Sequence, residues 1–201
     1  MIDGAVFREA AGRAERVSVA DLLRLHGTAT WPGLLLVLAV LSTIPLAGIG
    51  TAVSLPMFAI AWRWPRPATL QRKNGVAPVS GRLLEMQLGQ AWSRRCLHLF
   101  AALYDTARVT MRRRWLSLRH PRMAVGWRIW IAVMALLILL PLPFGNLLPG
   151  MSLALLGLGW IFKDGVALML SLASGTAAVG YVALSLHVLR SMGEAVIAWW
   201  A

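Results

Sequence analysis

Between Ile129 and Phe162 the chain carries no charged residue, yet this run cannot form one uninterrupted membrane helix. Its middle, Leu140 to Trp160, reads LPLPFGNLLPGMSLALLGLGW. There Pro141, Pro143, Gly145, Asn146, Pro149 and Gly150 interrupt any regular helical ladder. In hydrocarbon each freed backbone group is costly, so an irregular turn at depth persists only where protein or water shelters it. The composition of this stretch therefore predicts that the chain folds back here and packs its bend against another part of the molecule.

A second interrupted stretch lies upstream. Gly27 to Trp62 is free of charge for 36 residues and is punctuated by Pro32, Pro45, Gly48, Gly50 and Pro56. Two complete spans need about 20 apolar residues each plus a turn, so this run is short for two and long for one. It predicts a helical hairpin whose tip lies within or barely across a bilayer, with Trp31, Trp62 and Trp64 as interfacial anchors. Placing Pro45 on Pro141 and Trp62 on Trp160 gives offsets of 96 and 98. Two similar units result, each an amphipathic helix followed by a broken hairpin, in a weak repeat that an inverted relation would also satisfy. Paired interruptions of this kind point to a site at the bilayer midplane. The candidates are Pro45, Gly48, Gly50, Pro141, Pro143, Gly145, Asn146 and Pro149. Helix N-termini near Gly48 to Ser54 and Asn146 to Met151 would offer free N–H groups suited to an anion. The alternative is that the two turns only satisfy each other's backbone.

The rest of the composition agrees with a bilayer as solvent. The 201 residues are 58% hydrophobic and only 14% charged, with mean hydropathy +0.67, too apolar for an ordinary soluble domain of this size. The net charge of +12 is concentrated: from Arg63 to Arg128 fourteen Lys and Arg face only Glu85 and Asp105, and the remainder of the chain sums to zero. A basic block between apolar segments predicts a cytoplasmic loop obeying the positive-inside rule. It also offers a surface for anionic lipid headgroups, for which Arg112, Arg113 and Arg114 are the candidate contacts. Nucleic acid is not an expected partner.

One membrane domain over 1–201 is expected, made of an N-terminal amphipathic helix (1–30), a first broken hairpin (31–62), a basic cytoplasmic segment (63–128), a second broken hairpin (129–162) and a transmembrane helix (166–190). Charges throughout the first thirty residues argue against a cleaved signal peptide. A helix is expected over 5–27, with a capping-box-like restart at Ser18 and Asp21. In the basic segment, Leu84, Leu88, Trp92, Cys96, Leu99 and Leu103 suggest one apolar stripe on a helix from Arg82 to about Leu118, lying on the membrane's cytoplasmic face. Lys163 and Asp164 read as an interfacial pair at a turn. On the last segment, Ser171, Gly175 and Val179, with Ser174 and Ala178 beside them, permit close helix approach and self-association. His187, near the end of that span, reads as a headgroup contact rather than a proton relay.

Cys96, the single cysteine, excludes an intrachain disulfide. No nucleophile triad, paired carboxylates or metal-ligand spacing is visible, so no catalytic residue, cofactor or metal is assigned and a non-enzymatic protein is expected.

The run LPLPFGNLLPGMSLALLGLGWIFKDG, with the N-terminal amphipathic helix and the earlier IPLAGIGTAVSLP segment, resembles the ExoD family of bacterial membrane proteins linked to exopolysaccharide synthesis. The likeness covers nearly the whole chain. The first break departs from the pattern, carrying Ala47, Gly48, Ile49 and Gly50 where a second proline and a PG pair would stand. The resemblance implies a multi-pass protein of the inner membrane taking part in polysaccharide production, with the basic middle segment cytoplasmic. Two roles follow: an accessory protein that organises lipids or the exopolysaccharide machinery, or a small transporter or lipid-linked-sugar flippase using the paired hairpin tips.

Overall fold

The computed structural model describes residues 4–13, 17–25, 31–44, 49–64, 85, 87–140 and 145–200. The fold is all-α apart from one short ladder, in which β1 (Val17–Ser18) pairs antiparallel with β2 (Gln87–Leu88). The helices in chain order are α1 (Gly4–Arg13), α2 (Val19–Leu25), α3 (Trp31–Ser42), α4 (Ile49–Arg63), α5 (Gln90–Thr110), α6 (Ala124–Leu139), α7 (Leu147–Phe162) and α8 (Gly165–Trp200), with 3-10 turns at Leu116–Arg119 and Pro121–Met123.

Helix α3 forms the centre. Its sequence, WPGLLLVLAVLS, places proline in the first turn, where the missing N–H costs nothing, and then nine residues without a breaker. Every side chain from Leu34 to Leu41 is buried, as expected for a helix apolar all round. The helix stops with its last carbonyls occupied: Ser42 Oγ donates to Ala39 O at 2.7 Å and Thr43 Oγ1 to Val40 O at 2.7 Å. Hydroxyls thus satisfy groups that water would serve in a soluble protein.

The two hairpins clasp each other. Helix α3 packs on α7, and α4 packs on α6. Glycine permits the closest approaches: a Cβ on Gly157 would stand 2.9 Å from Pro32 O, and one on Gly150 would stand 2.8 Å from Ser42 Oγ and 3.2 Å from Ala39 O. The beginning of α3 therefore meets the end of α7, and its end meets the beginning of α7, so the pair is antiparallel. At the other end of the bundle the Trp64 and Trp160 rings meet edge to face with centroids 5.1 Å apart. The end of α3 and the beginning of α7 thus lie together at one end of the bundle, and the ends of α4 and α7 at the other.

Helix α8 follows α7 after a tight reversal and runs back along it. Ser152 Oγ donates to Ser171 O at 2.7 Å, Trp130 Nε1 donates to Ser152 Oγ at 3.2 Å, and Ser174 Oγ donates to Leu148 O at 3.1 Å. Gly175 sits beneath the Trp130 ring and Met134. The small-residue face of α8 is therefore taken up within the chain, by α7 and α6. Beyond Val182 the helix continues to Trp200 with Leu184, Leu189, Met192 and Ile197 exposed.

Several sequence expectations are corrected. The helix expected over 5–27 is two helices, α1 and α2, separated by the β1 strand. Its restart is the expected capping box, with Ser18 N donating to Asp21 Oδ2 and Asp21 N donating to Ser18 Oγ, each at 3.1 Å. Helix α5 is shorter than Arg82 to Leu118, and its buried face is Ser93, Cys96, Leu97, Phe100, Ala101, Tyr104 and Ala107. Leu99 is 43% exposed. That face is covered by α1: Phe7 stacks on Phe100 and Tyr104, and Arg8 pairs with Asp105. Trp64, expected as an interfacial anchor, is only 1% exposed, whereas Trp62 is 80% exposed.

Candidate functional site

Two places gather the residues singled out by the sequence, and they lie at opposite ends of the hairpin bundle. At one end are the bends. Gly50 stands in the first turn of α4, directly against the side chain of Asn146, which precedes α7. A Cβ on Gly50 would lie 2.6 Å from Asn146 Nδ2 and 3.2 Å from Ile138 O, so only glycine fits without displacement. Gly145 is buried at the second bend and Pro149 in the first turn of α7. Gly150 N donates to Asn146 O at 3.0 Å, opening the α7 ladder. Asn146 Oδ1 is buried and accepts no hydrogen bond among the described residues, leaving a carbonyl-type acceptor unused beside two helix N-termini whose first amides lack intrahelical partners. Pro45, Gly48, Pro141 and Pro143 lie outside the described residues.

At the other end, the chain after α5 crosses the start of α8. Asp164 is 1% exposed and gathers four hydrogen bonds. Arg114 donates through Nε at 3.0 Å and through Nη2 at 3.2 Å, Arg112 N at 3.0 Å, and Val166 N at 2.8 Å. Gly165 N donates to Arg114 O at 2.9 Å. Asp164 is thus both the cap of α8 and the anchor of the basic link, not a partner for Lys163. Burial alone would raise the Asp164 carboxyl, but the hydrogen bonds from Arg114 and from the amides of Arg112 and Val166 outweigh it and hold the group below the usual carboxylate range. Of the three arginines singled out as lipid contacts, Arg114 has its guanidinium committed to this carboxylate, while Arg112 and Arg113 are exposed.

Close by is a cluster whose members the sequence does not bring together. Arg119 stacks its guanidinium over the Trp160 ring, Cζ to centroid 4.6 Å, and Trp160 meets Trp64. Arg128 Nε donates to Trp64 O, and Trp127 Nε1 donates to Leu118 O at 2.8 Å, fastening the 3-10 turn to α6. Trp64 Nε1, Trp160 Nε1 and Arg119 Nε are all buried without an acceptor among the described residues. Burial lowers the pKa of Arg119, the desolvation cost of holding a cation there. In sequence these residues are a tryptophan beside arginine and proline, an arginine in a basic block and a tryptophan in an apolar run, with no spacing that joins them.

Among the described residues two helices are long and apolar enough to cross a membrane, Pro121–Leu139 and Gly165–Trp200. No curated protein and no solved structure matches the chain. A family model described as "Exopolysaccharide synthesis, ExoD" matches residues 5–184.

Proposed function

The chain belongs to the ExoD family and with it to exopolysaccharide synthesis, and from this premise we propose that it serves that process from the bacterial inner membrane, as a non-enzymatic accessory protein that organises lipids or partner proteins. The observation that carries this reading is the contrast in helix length. Helices α3, α4 and α7 have 12, 15 and 16 residues, about 18 to 24 Å at 1.5 Å per residue, and α6 reaches the length of a span only together with the 3-10 turn before it. A hydrocarbon core is about 30 Å thick. Helix α8 has 36 residues, with no charge from Val166 to Leu189. The bond from Ser174 Oγ to Leu148 O sets the bends beside a point nine residues into α8, about 14 Å along the helix and so near mid-depth of a ~30 Å core. The hairpins are then re-entrant, their bends sheltered by each other as irregular backbone at that depth requires. The basic link, with Arg112 and Arg113 exposed, faces the cytoplasm and anionic headgroups.

The units form a repeat at an offset of 96. It carries α3 onto α6, α4 onto α7, Gly50 onto Asn146 and, in place of the Trp62 pairing read from the sequence, Trp64 onto Trp160. In both residue pairs the equivalent positions touch each other, which is the signature of a two-fold axis running along the bundle.

A second reading, a transporter or lipid-linked-sugar flippase, is favoured by one observation: the unused Asn146 Oδ1 between two helix N-termini at the bends. Cysteine accessibility tests the membrane reading. In a Cys96-free protein, a cysteine at 113 should label from the cytoplasm, one at 190 from outside, and one at 146 from neither side. Labelling of 146 from the outside would make the hairpins full spans and overturn the re-entrant arrangement.

A further inference from the structure

We propose that the tryptophan end of the hairpin bundle holds a phosphoryl anion, bound by Arg119 and by the indole N–H groups of Trp64 and Trp160. Three observations converge. First, Trp64 Nε1, Trp160 Nε1 and Arg119 Nε are all buried, and none has an acceptor among the described residues. A buried donor left unpaired is costly, and indole and guanidinium nitrogens can only donate, so the partner must bring acceptors. Second, the three belong to one contiguous group: Arg119 Cζ lies 4.6 Å from the Trp160 ring centroid, and the Trp160 and Trp64 centroids are 5.1 Å apart.

Third, the charge at this end is unbalanced. Arg112, Arg113, Arg114, Arg119, Arg122 and Arg128 stand within one stretch of the chain that has no acid. Asp164, the carboxylate that approaches it, is taken by Arg114. Arg128 is directed to Trp64 O and fixes the tryptophan from its backbone side. A group of three donors, one of them cationic, suits an oxyanion with several oxygens, and phosphate matches guanidinium geometry better than a single carboxylate oxygen does. The cation–π contact with Trp160 fixes the position of the guanidinium beside the indole.

The phosphoryl group could belong to a lipid headgroup or to a soluble phosphorylated sugar. The site itself stands on the donors and the charge. Only its lipid source would rest on the membrane reading above.

The experiment uses the full chain, purified in a phosphate-free maltoside detergent. Thermal unfolding and calorimetric titration are followed with inorganic phosphate, glucose 1-phosphate and dihexanoyl phosphatidic acid, against chloride at equal ionic strength. Binding of all three probes, with a raised unfolding midpoint, assigns the site to the phosphoryl group. Binding of the phosphatidic acid alone assigns it to lipid, and binding of the sugar phosphate above the other two assigns it to a soluble ligand. Arg119→Gln should abolish binding, and Trp160→Phe, which keeps a ring but removes an N–H, should weaken it about tenfold. Arg190→Gln, an exposed arginine near the far end of α8 and outside this charge, should leave affinity unchanged. Should Arg119→Gln not fold, Trp64→Phe replaces it with the same expectation as Trp160→Phe. The proposal is overturned if no probe exceeds chloride, or if the variants of the three donors bind as tightly as the parent does. Neither result bears on topology or on polysaccharide production, so failure here is separable from failure of the accessory role.

Discussion

A methyl group at Gly50 would fall 2.6 Å from the Asn146 side-chain nitrogen, well inside van der Waals contact. The bends of two hairpins about a hundred residues apart in sequence are therefore fitted to one another, and each limits what the other can be.

Gly50→Ala should destabilise the protein by about 2 kcal/mol, the usual cost of overpacking a filled site. Asn146→Ala removes the group in the way. The double variant should then recover a large part of that loss in thermal unfolding, a positive coupling that two independent sites would not give.

The same pair separates the two functional readings. Complementation of a deletion strain, with exopolysaccharide yield as the measurement, should survive Asn146→Ala and fail for Arg112→Gln/Arg113→Gln if the protein organises lipids and partners. The reverse result would assign the activity to the bends and support a transporter. Arg114 is left intact in this test, because its guanidinium is committed to the buried Asp164 carboxylate.

Asp164→Ala should cost about 3 kcal/mol, since it strands buried amides and breaks the pairing with Arg114. The pH dependence follows from the depressed carboxyl. A group held below its unfolded pKa, about 3.9, contributes its full stability above that value and loses it as pH falls through the folded pKa. The unfolding midpoint of the parent should therefore drop below about pH 4, and that of Asp164→Asn should drop less over the same interval.

Cys96 is buried on α5, and burial pushes its thiol up to about 11. Maleimide should leave it unmodified in the folded protein at pH 7.5 and label it fully once sodium dodecyl sulfate has unfolded the chain. Rapid labelling without denaturant would show that the α1 and α5 pair opens readily.

The bends were legible because proline, glycine and asparagine inside an uncharged run are compatible with little besides a turn, and Ser18 with Asp21 announced a helix start for an equally local reason. Partnership across the chain was not. Asp164 follows a lysine, and nothing near it in sequence reveals that Arg114, fifty residues earlier, completes its shell. Trp64 lies beside Arg63 and Pro65, where a tryptophan commonly marks an interface, but Trp160 covers it. On α5 the stripe was phased from Leu84 and Leu88, which precede the helix. The inward face was set instead by what α1 presents, namely Phe7 against Phe100 and Tyr104.

Helix α8 runs on past the hairpins it is fastened to: among the described residues Ser152 and Ser174 lie where helices meet, whereas Leu189 is exposed. Embedded as proposed, such a profile displaces many lipids from one leaflet and few from the other. A wedge of that kind has a preferred curvature, and crowding many copies together would bend the sheet that holds them.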